Sequence, residues 1–313
     1  MAGLLFLVLP ELLKTGDLDR RLREQFDEIR VCERRENAIN ELTQLGPGVD
    51  AVIVGVREQI TGEVLAGLPN LVVVGSVGAG TDHLDLGALQ SAGVAVVTTP
   101  GANANSVAEH ALFMILGLLK RGLRGHTAVL AGADRSGVPE LPLELGGSSV
   151  GILGAGPTAR ALIDLLRPFG VDLRVWTRSP QKHSDLPVGP IERVFEAQAV
   201  SIHLPLTAET RGLVGADLLR RLPPGAVVAN TARKEIFDLK ELRAAAQSRP
   251  DLNVAIDDFD LKRDGTTDAV GDFRGLWSPH IAGVTQQSLR RMHEIVVTGV
   301  LAAVGSAGAE GLR

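Results

Sequence analysis

Two side chains in the second half of the sequence have the chemistry that hydride transfer to a carbonyl group requires. Arg233 follows an apolar run in VVANTARKEIFD (227–238), and His280 lies between a proline and a small-residue turn in SPHIAG (278–283). An arginine can bind a carboxylate through two hydrogen bonds, and a histidine can exchange a proton at a carbonyl oxygen. With a nicotinamide cofactor, the two suffice for reduction of a 2-oxo acid. Because ligands of open parallel sheets bind beyond the carboxyl ends of the strands, we expect both residues and the acidic segment IDDFD (256–260) to line one crevice.

The stretch VGILGAGPTAR (150–160) predicts a dinucleotide site. An apolar run enters a tight Gly-Ala-Gly turn, and a helix with apolar periodicity follows it (159–169). Glycines in this turn would let a pyrophosphate approach the backbone and the free N–H groups at the start of the helix. An ordinary strand–turn–helix connection has the same local pattern, so the downstream segments decide between the two interpretations. The candidate phosphate-binding residues are Gly154, Ala155, Gly156, Pro157 and Thr158.

The residues after the next strand bear on the choice of cofactor. In dinucleotide folds an Asp or Glu about 20 residues past the glycines binds the ribose hydroxyls. Here the strand Leu173–Trp176 runs into Thr177, Arg178 and Ser179, and Asp185 comes too late along the chain to take that place. A carboxylate would repel a 2′-phosphate, whereas a guanidinium with a neighbouring hydroxyl can bind one. We therefore predict that NADP(H) is preferred over NAD(H); in the alternative interpretation Arg178 is a solvated surface charge.

Length and composition limit the class of protein. The chain has 313 residues, 45% of them hydrophobic, which suggests about two globular domains. A net charge of −5, 3% aromatic residues and the absence of tyrosine argue against nucleic-acid binding. The single cysteine, Cys32, excludes an internal disulfide and a cysteine metal cluster, and no apolar run has the length of a membrane span. We expect a cytoplasmic protein without a metal that acts on a small anionic substrate.

Short apolar runs alternate with helical patterns along the chain. Continuous Val/Ile/Leu runs are typical of parallel strands covered on both faces, so the sequence predicts an α/β fold with doubly wound parallel sheets. A long helix, Ser106–Arg121, separates two sets of strands; Ser106 is its predicted N-cap, with Glu109 completing a capping box. The last helix, Thr285–Val304, has no strand after it and is predicted to return to the first domain. The predicted strands are Leu4–Leu9, Ala51–Val56, Leu71–Ser76, Val94–Val97, Ser149–Leu153, Leu173–Trp176, Ala199–His203, Ala226–Asn230 and Asn253–Ile256.

Six segments match the motifs of one enzyme family, in order and over nearly the whole chain. They are VGAGTDHLDL (77–86), NSVAEHALFMIL (105–116), VGILGAGPTAR (150–160), HLPLTAETRGLV (203–214), NTAR (230–233) and SPHIAG (278–283). With these motifs the chain resembles the D-isomer-specific 2-hydroxyacid dehydrogenase family. The resemblance implies a flavodoxin-like substrate domain (1–102 plus 284–313) and an inserted Rossmann-type dinucleotide-binding domain (103–283). It also implies a homodimer formed through the dinucleotide-binding domain.

Carried over by position, the resemblance assigns roles to individual residues. Arg233 would bind the carboxylate and carbonyl of the substrate, and His280 would be the acid/base. The backbone groups that would hold the carboxylate belong to Val77, Gly78, Ala79 and Gly80. The residues that would line the nicotinamide and the phosphates are Ser106, His203, Leu204, Pro205, Thr231, Ala232, Asp257 and Gly283. Arg57, after the strand 51–56, either helps to shape the substrate mouth or is a surface residue.

The chain departs from the family pattern beside the histidine. Family members have a glutamate five residues after the position of Asp257, and it pairs with the histidine; here that position is Lys262. A lysine cannot stabilise an imidazolium, because like charges disfavour the protonated form. Asp260 or Asp264 could supply the missing carboxylate through local slippage of the chain. We include Asp260 with Arg233 and His280 as the candidate catalytic residues.

The arginine motif also departs from the family. Arg233 is normally followed by glycine, but here by Lys234. Lys234 and Lys262 could extend recognition to a second anionic group on the substrate, such as a phosphonate, a phosphate or a second carboxylate. Alternatively both lysines point into solvent, as most lysines do.

Three hypotheses about function follow. In the first, the protein is an NADP(H)-preferring reductase that converts a 2-oxo acid to the D-2-hydroxy acid. In the second, the same fold oxidises or reduces another anion, such as a phosphonate-bearing oxo acid or phosphite. In the third, the protein binds and senses NAD(P) without catalysis, which the loss of the glutamate favours and the retention of Arg233 and His280 disfavours.

Overall fold

The computed structural model describes residues 2–14, 16–138, 140–258 and 274–310. The chain forms two compact units, one of Met1–Asn103 with Gln286–Arg313 and one of Ala104–Thr285. Each unit is built on its own parallel sheet. The prediction of two parallel-sheet α/β domains is confirmed.

The sheet of the first unit has five strands in the order β2-β1-β3-β4-β5. Its strands are β1 (Ala2–Leu7), β2 (Phe26–Val31), β3 (Val49–Val54), β4 (Val73–Ser76) and β5 (Ala95–Val97). Its helices are α1 (Gly16–Gln25), α2 (Ala38–Leu45), α3 (Gly62–Ala66), α4 (Leu86–Ser91) and the C-terminal helix (Gln286–Glu310). This strand order is flavodoxin-like, and it reverses direction between β1 and β3.

Both faces of the first sheet are covered, as its apolar strands predict. Leu5 and Leu7 of β1 pack into one cluster of buried residues, together with Val296 and Val300 of the C-terminal helix. Phe6 belongs to the cluster on the opposite face. Successive strand residues point to opposite faces, so a strand buried on both sides must be apolar throughout.

The strand β2 has no counterpart among the predicted strands. Its sequence, FDEIRV, carries three charged residues, and only Phe26 is buried. It lies at the edge of the sheet, next to β1. An edge strand contacts the sheet on one side and can expose charged side chains, so its sequence lacks the continuous apolar run that marks a central strand.

The sheet of the second unit has six strands in the order β11-β10-β9-β8-β6-β7. Its strands are β6 (Ser149–Leu153), β7 (Asp172–Trp176), β8 (Ala199–Ile202), β9 (Val227–Asn230), β10 (Asn253–Ile256) and β11 (Arg274–Trp277). On the outer side of β7, Val175 forms an isolated parallel bridge with Val188. The strand order reverses between β6 and β8, and ligands of Rossmann-type sheets bind at such a switch point.

The second unit also contains six α-helices among its described residues. They are α5 (Ala104–Leu119), α6 (Gly122–Leu130), α7 (Pro157–Leu166), α8 (Ile191–Val194), α9 (Ala216–Leu219) and α10 (Leu239–Ser248). The start predicted for α5 is wrong, because the helix begins at Ala104 and Ser106 lies inside it. The Ser106 hydroxyl is hydrogen-bonded to the Thr285 hydroxyl at 2.8 Å instead of capping the helix.

Candidate active site

The glycine turn after β6 lies at the switch point of the second sheet. Gly154 has a φ of +107°, and a Cβ there would lie 2.4 Å from the carbonyl oxygen of His203. The Gly154 amide donates to Trp176 O at 2.8 Å, and the His203 amide donates to Leu153 O at 2.8 Å. Both the backbone angle and the close approach of the next strand require glycine at position 154.

The start of α7 offers unblocked backbone donors. Gly156 precedes the helix in an extended conformation, Pro157 occupies the first turn, and no described side chain caps this end. A Cβ added at Gly156 would meet no atom of the described residues within 4 Å, so these residues leave the space over the turn open. Free N–H groups and the helix dipole make such an end a site for phosphate. The turn fits the pyrophosphate of a dinucleotide, and the adjoining Ala155 is buried while Thr158 is partly buried.

A carboxylate from the segment after β7 binds to an arginine of α7. Arg160 of α7 binds both carboxylate oxygens of Asp185, at 2.7 and 3.1 Å, and lies 2.9 Å from His183 Nδ1. The hydrogen bond from Arg160 lowers the pKa of Asp185 to about 2. Tertiary folding thus brings Asp185 to the first turns of α7, although it comes late in the sequence.

The arginine predicted to select the cofactor also has a carboxylate neighbour. Arg178 NH1 lies 3.8 Å from Glu209 Oε2, and both side chains are largely exposed. The Ser179 amide donates to the Thr177 hydroxyl at 3.3 Å and so holds the turn that presents Arg178. A 2′-phosphate at this tip would compete with Glu209 for the guanidinium.

His203 follows β8 at the switch point. Its Nε2 lies 2.9 Å from the Ser201 hydroxyl. Burial lowers its pKa to about 4, so the ring is neutral near pH 7. Leu204 is buried and Pro205 is exposed, and Pro205 O accepts a 2.6 Å hydrogen bond from the Thr210 hydroxyl.

A buried asparagine shapes the turn that carries Arg233. Asn230, the last residue of β9, donates from Nδ2 to Arg233 O at 2.7 Å and accepts from the Ala232 amide at 2.9 Å. Arg233 has an extended backbone and donates from NH1 to Ala232 O at 2.9 Å. The Thr231 hydroxyl is buried and has no hydrogen-bond partner among the described residues. Sequence reasoning missed Asn230, although the asparagine of the NTAR motif was available as a signal.

Asp257 holds the histidine loop. It is buried, and its carboxylate accepts hydrogen bonds from the Ser278 hydroxyl, from Ile281 N at 3.0 Å and from Ala282 N at 2.7 Å. His110 of α5 lies 3.1 Å from the Ser278 hydroxyl, which ties this loop to the helix. The observed contacts of Asp257 are therefore with the loop, and its assignment to the nicotinamide stays a prediction.

The described residue that pairs with His280 is Asp258. His280 Nδ1 lies 3.3 Å from Asp258 Oδ1, and Asp258 is buried. His280 has a φ of +61°, which side-chain-bearing residues rarely adopt. Asp260, Lys262 and Asp264, on which the predicted pairing rested, lie outside the described residues. Sequence reasoning missed Asp258, the second aspartate of IDDFD.

The first unit carries the residues predicted to hold the substrate carboxylate. They follow β4, and the Val77 amide donates to Val54 O at 2.9 Å. A Cβ at Gly78 would lie 2.2 Å from Val56 Cγ1, so glycine allows the two loops to meet. Ala79 and Arg57 are exposed and Gly80 is partly buried. These residues lie at the carboxyl edge of their sheet, where ligands of parallel sheets bind.

The described ranges contain neither a candidate metal site nor a helix fit to span a membrane. There, no group of three or more His, Cys, Asp or Glu residues could hold a metal ion. No described helix combines the length and the apolar character that crossing a membrane would take.

Comparison with known proteins assigns the chain to a family. The sequence model of the D-isomer specific 2-hydroxyacid dehydrogenase catalytic domain matches residues 8–310. The chain belongs to this family. As a member it is an NAD(P)-dependent oxidoreductase of 2-hydroxy and 2-oxo acids.

Relatives and solved structures agree with this assignment. The chain is 32% identical to an (S)-sulfolactate dehydrogenase of Chromohalobacter salexigens, over 93% of this chain and 94% of the relative. It is 26% identical to a glyoxylate reductase of Pyrococcus furiosus, over 90% and 87% of the two chains. The NAD-dependent formate dehydrogenase of Staphylococcus aureus, solved with NAD, is 25% identical with a TM-score of 0.81, covering 95% of this chain and 93% of the other.

Proposed function

We propose that the protein is an NADP(H)-preferring reductase that converts a small 2-oxo acid to the D-2-hydroxy acid. The observation that carries the proposal is the pairing of His280 with a buried carboxylate, at 3.3 Å, in the same unit as an open phosphate-binding turn. A paired histidine is suited to proton exchange, whereas a protein that only senses the cofactor has no use for it. The non-catalytic hypothesis is therefore not favoured.

The unit Ala104–Thr285 is proposed to hold the cofactor and the catalytic side chains. The open turn at Gly156 and the backbone donors of α7 would receive the phosphates, as their geometry allows. When bound, the reduced nicotinamide supplies a hydride to the carbonyl carbon. Ser106, Thr231 and Asp257 are proposed to lie near the nicotinamide. The Thr231 hydroxyl, which has no partner in the part of the chain that the structure describes, is a donor or acceptor for the amide of such a ring.

The side chains around the substrate have separate tasks. Arg233 binds the carboxylate and polarises the carbonyl group, and the Asn230 amide holds the turn from which it projects. His280 delivers a proton to the carbonyl oxygen. The backbone of Val77–Gly80 stays a predicted contact of the substrate carboxylate, and Arg57 stays a predicted residue of the substrate mouth.

The preference for NADP(H) rests on the composition of the β7 tip. Thr177, Arg178 and Ser179 present a guanidinium and two hydroxyls, which can bind a 2′-phosphate through charge-assisted hydrogen bonds. Glu209, 3.8 Å from Arg178, opposes this preference because it occupies the guanidinium. Its side chain is 71% exposed, so it can move away at little cost when a phosphate binds.

The substrate is proposed to carry a second anionic group. Support comes from the relative that acts on (S)-sulfolactate, a 2-hydroxy acid with a sulfonate. The descriptor (S) in sulfolactate denotes the arrangement called D in lactate, because the sulfur-bearing carbon outranks the carboxyl carbon. Lys234, next to Arg233, is partly buried and is a candidate to bind this group, whereas Lys262, the other predicted candidate, lies outside the described residues.

A substrate panel tests the proposal. NADPH and NADH oxidation would be followed with glyoxylate, pyruvate, 3-sulfopyruvate and 3-phosphonopyruvate, and phosphite oxidation with both oxidised cofactors. We expect turnover of at least one 2-oxo acid, faster with NADPH, with a D product on a chiral column. Cofactor binding without turnover of any compound contradicts the proposal, and turnover of phosphite alone supports the second hypothesis.

The assembly is proposed to be a homodimer formed through the second unit. Four large apolar side chains of this unit are exposed: Phe113 of α5 and Leu123, Val129 and Leu130 of α6. The exposed fractions of Val129 and Leu130 are 71% and 75%. Exposed large apolar side chains on two helices that contact each other support a protein interface on this part of the unit. The proposed cytoplasmic location rests on the single cysteine, which suits a reducing compartment.

A further inference from the structure

We infer that Asp258 is the positioning residue of His280, in place of a carboxylate five residues after Asp257. The inference rests on the proposed role of His280 as the acid/base. His280 Nδ1 and Asp258 Oδ1 are 3.3 Å apart. Asp258 is 5% exposed and the His280 side chain is 28% exposed, so water screens the pair only in part.

The backbone holds the two residues in register. Asp258 forms an isolated antiparallel bridge with Pro279, the residue before His280. One step earlier, the Ser278 amide donates to Ile256 O at 3.1 Å, which continues the pairing of β10 and β11. An aspartate has one methylene fewer than a glutamate, so it reaches the ring only from a nearby backbone position, and this bridge provides that position.

Among the described residues, two other charged or titratable groups contact the loop, Asp257 and His110, and both have other partners. The oxygens of Asp257 accept from Ser278 and from the amides of Ile281 and Ala282. His110, on α5, lies 3.7 Å from Asp257 and 3.1 Å from the Ser278 hydroxyl. Within the described part of the chain, the carboxylate in contact with the His280 ring is therefore that of Asp258.

The pairing determines which ring nitrogen can react. A carboxylate at Nδ1 favours a proton on that atom, so Nε2 remains for exchange with the substrate. In the reductive direction Nε2–H would give its proton to the carbonyl oxygen, and a bound reduced nicotinamide would supply the hydride that the carbonyl carbon needs. The imidazolium becomes a neutral imidazole with its proton on Nδ1, and Asp258 takes no proton in this step.

The pH dependence of reduction tests this assignment. The substitution Asp258→Asn gives the His280 ring a neighbour of equal size that carries no charge. We expect kcat to fall at least tenfold, and the pH at which the reduction rate declines to move down, because the imidazolium loses the opposite charge beside it. KM for NADPH should change less than twofold. Asp217→Asn, which alters an exposed aspartate of α9, is the matched control and should behave as the unmodified protein.

Competing carboxylates are distinguished in the same series. The inference would be overturned if Asp260→Asn or Asp264→Asn moved the decline of the reduction rate to lower pH while Asp258→Asn left the pH–rate profile unchanged. If His280→Ala retains turnover, the proposed acid/base role fails instead. If His280→Ala is inactive while Asp258→Asn keeps both the rate and the profile, only the pairing is overturned.

A measurement on the unmodified protein covers the case in which Asp258→Asn does not fold. Nitrogen-15 NMR of labelled histidine reports which ring nitrogen is protonated, and His280→Gln identifies the signal. We expect the neutral ring of His280 to carry its proton on Nδ1. A proton on Nε2 would overturn the inference.

Discussion

The side-chain amide of Asn230 binds both ends of the turn that carries Arg233. It donates to Arg233 O at 2.7 Å and accepts from the Ala232 amide at 2.9 Å, and the asparagine is fully buried. The guanidinium thus projects from a backbone whose shape depends on a neighbouring side chain. Removing the amide would leave two backbone groups without these partners.

We expect Asn230→Ala to lower both activity and stability. The loss of both hydrogen bonds from a buried site should reduce the free energy of unfolding by roughly 1–3 kcal/mol, measured by urea denaturation. kcat/KM for the 2-oxo acid should fall more than the affinity for NADPH. Asn70→Ala, which removes an exposed hydrogen bond to Pro47 O, is the control and should cost under about 0.5 kcal/mol. Equal losses in the two variants would contradict the role of Asn230.

Arg233→Lys tests the substrate clamp. Lysine keeps the positive charge but loses the planar pair of donors that fits a carboxylate. The loss of one charge-assisted hydrogen bond corresponds to a fall of about 10–100-fold in kcat/KM, with the dissociation constant of NADPH nearly unchanged. Steady-state kinetics and a fluorescence titration measure the two quantities. Normal turnover in Arg233→Lys would show that this residue does not hold the carboxylate.

Paired variants at the β7 tip test the cofactor preference. Arg178→Ala should weaken NADPH binding by roughly 1.5–3 kcal/mol and leave NADH binding little changed, because only NADPH carries the 2′-phosphate. Glu209→Gln should strengthen NADPH binding, since it removes the charge 3.8 Å from Arg178. Calorimetric titration with both cofactors measures these effects. Equal affinity of the unmodified protein for the two cofactors would refute the preference.

His203 makes stability depend on pH. Burial lowers its pKa to about 4, below the usual value of 6.5, so the unfolded chain binds more protons between these values. The stability that this residue contributes is present above pH 6.5 and is lost as the pH falls towards 4, by roughly 2–3 kcal/mol. In His203→Gln this part of the decline should disappear from urea denaturation curves. The exposed His126 gives the control His126→Gln, and an identical decline in all three proteins would contradict the assignment.

Exposed apolar residues of α6 test the dimer. Val129→Asp combined with Leu130→Asp should yield a monomer in light scattering, because two charges would be buried without partners in the interface. Leu239→Asp, at an exposed leucine of α10 in the same unit, should leave the assembly state unchanged. A dimer that survives the double substitution would place the interface elsewhere.

Features that depend on residues close together in the chain were predictable from the sequence. The continuous apolar runs predict central parallel strands because both faces of such strands are buried. The glycine turn at Gly154 is predictable because its positive φ excludes other residues, and Arg233 and His280 follow from their motifs. The same argument does not predict the edge strand β2. This strand exposes charged residues, so its sequence has no continuous apolar run.

Contacts between distant residues were decided by the tertiary structure. Arg160 and Asp185 are 25 residues apart in the chain, yet α7 and the segment after β7 bring them within 2.7 Å. Ser106 has the residue type of an N-cap, but the helix starts earlier and its hydroxyl bonds to Thr285, 179 residues away. Of the aspartates in IDDFD, the bridge to Pro279 places Asp258 beside His280. Sequence spacing measures distance along the chain, whereas a hydrogen bond depends on where the folded backbone places the donor and the acceptor. In this protein the folded backbone places Asp258 next to His280.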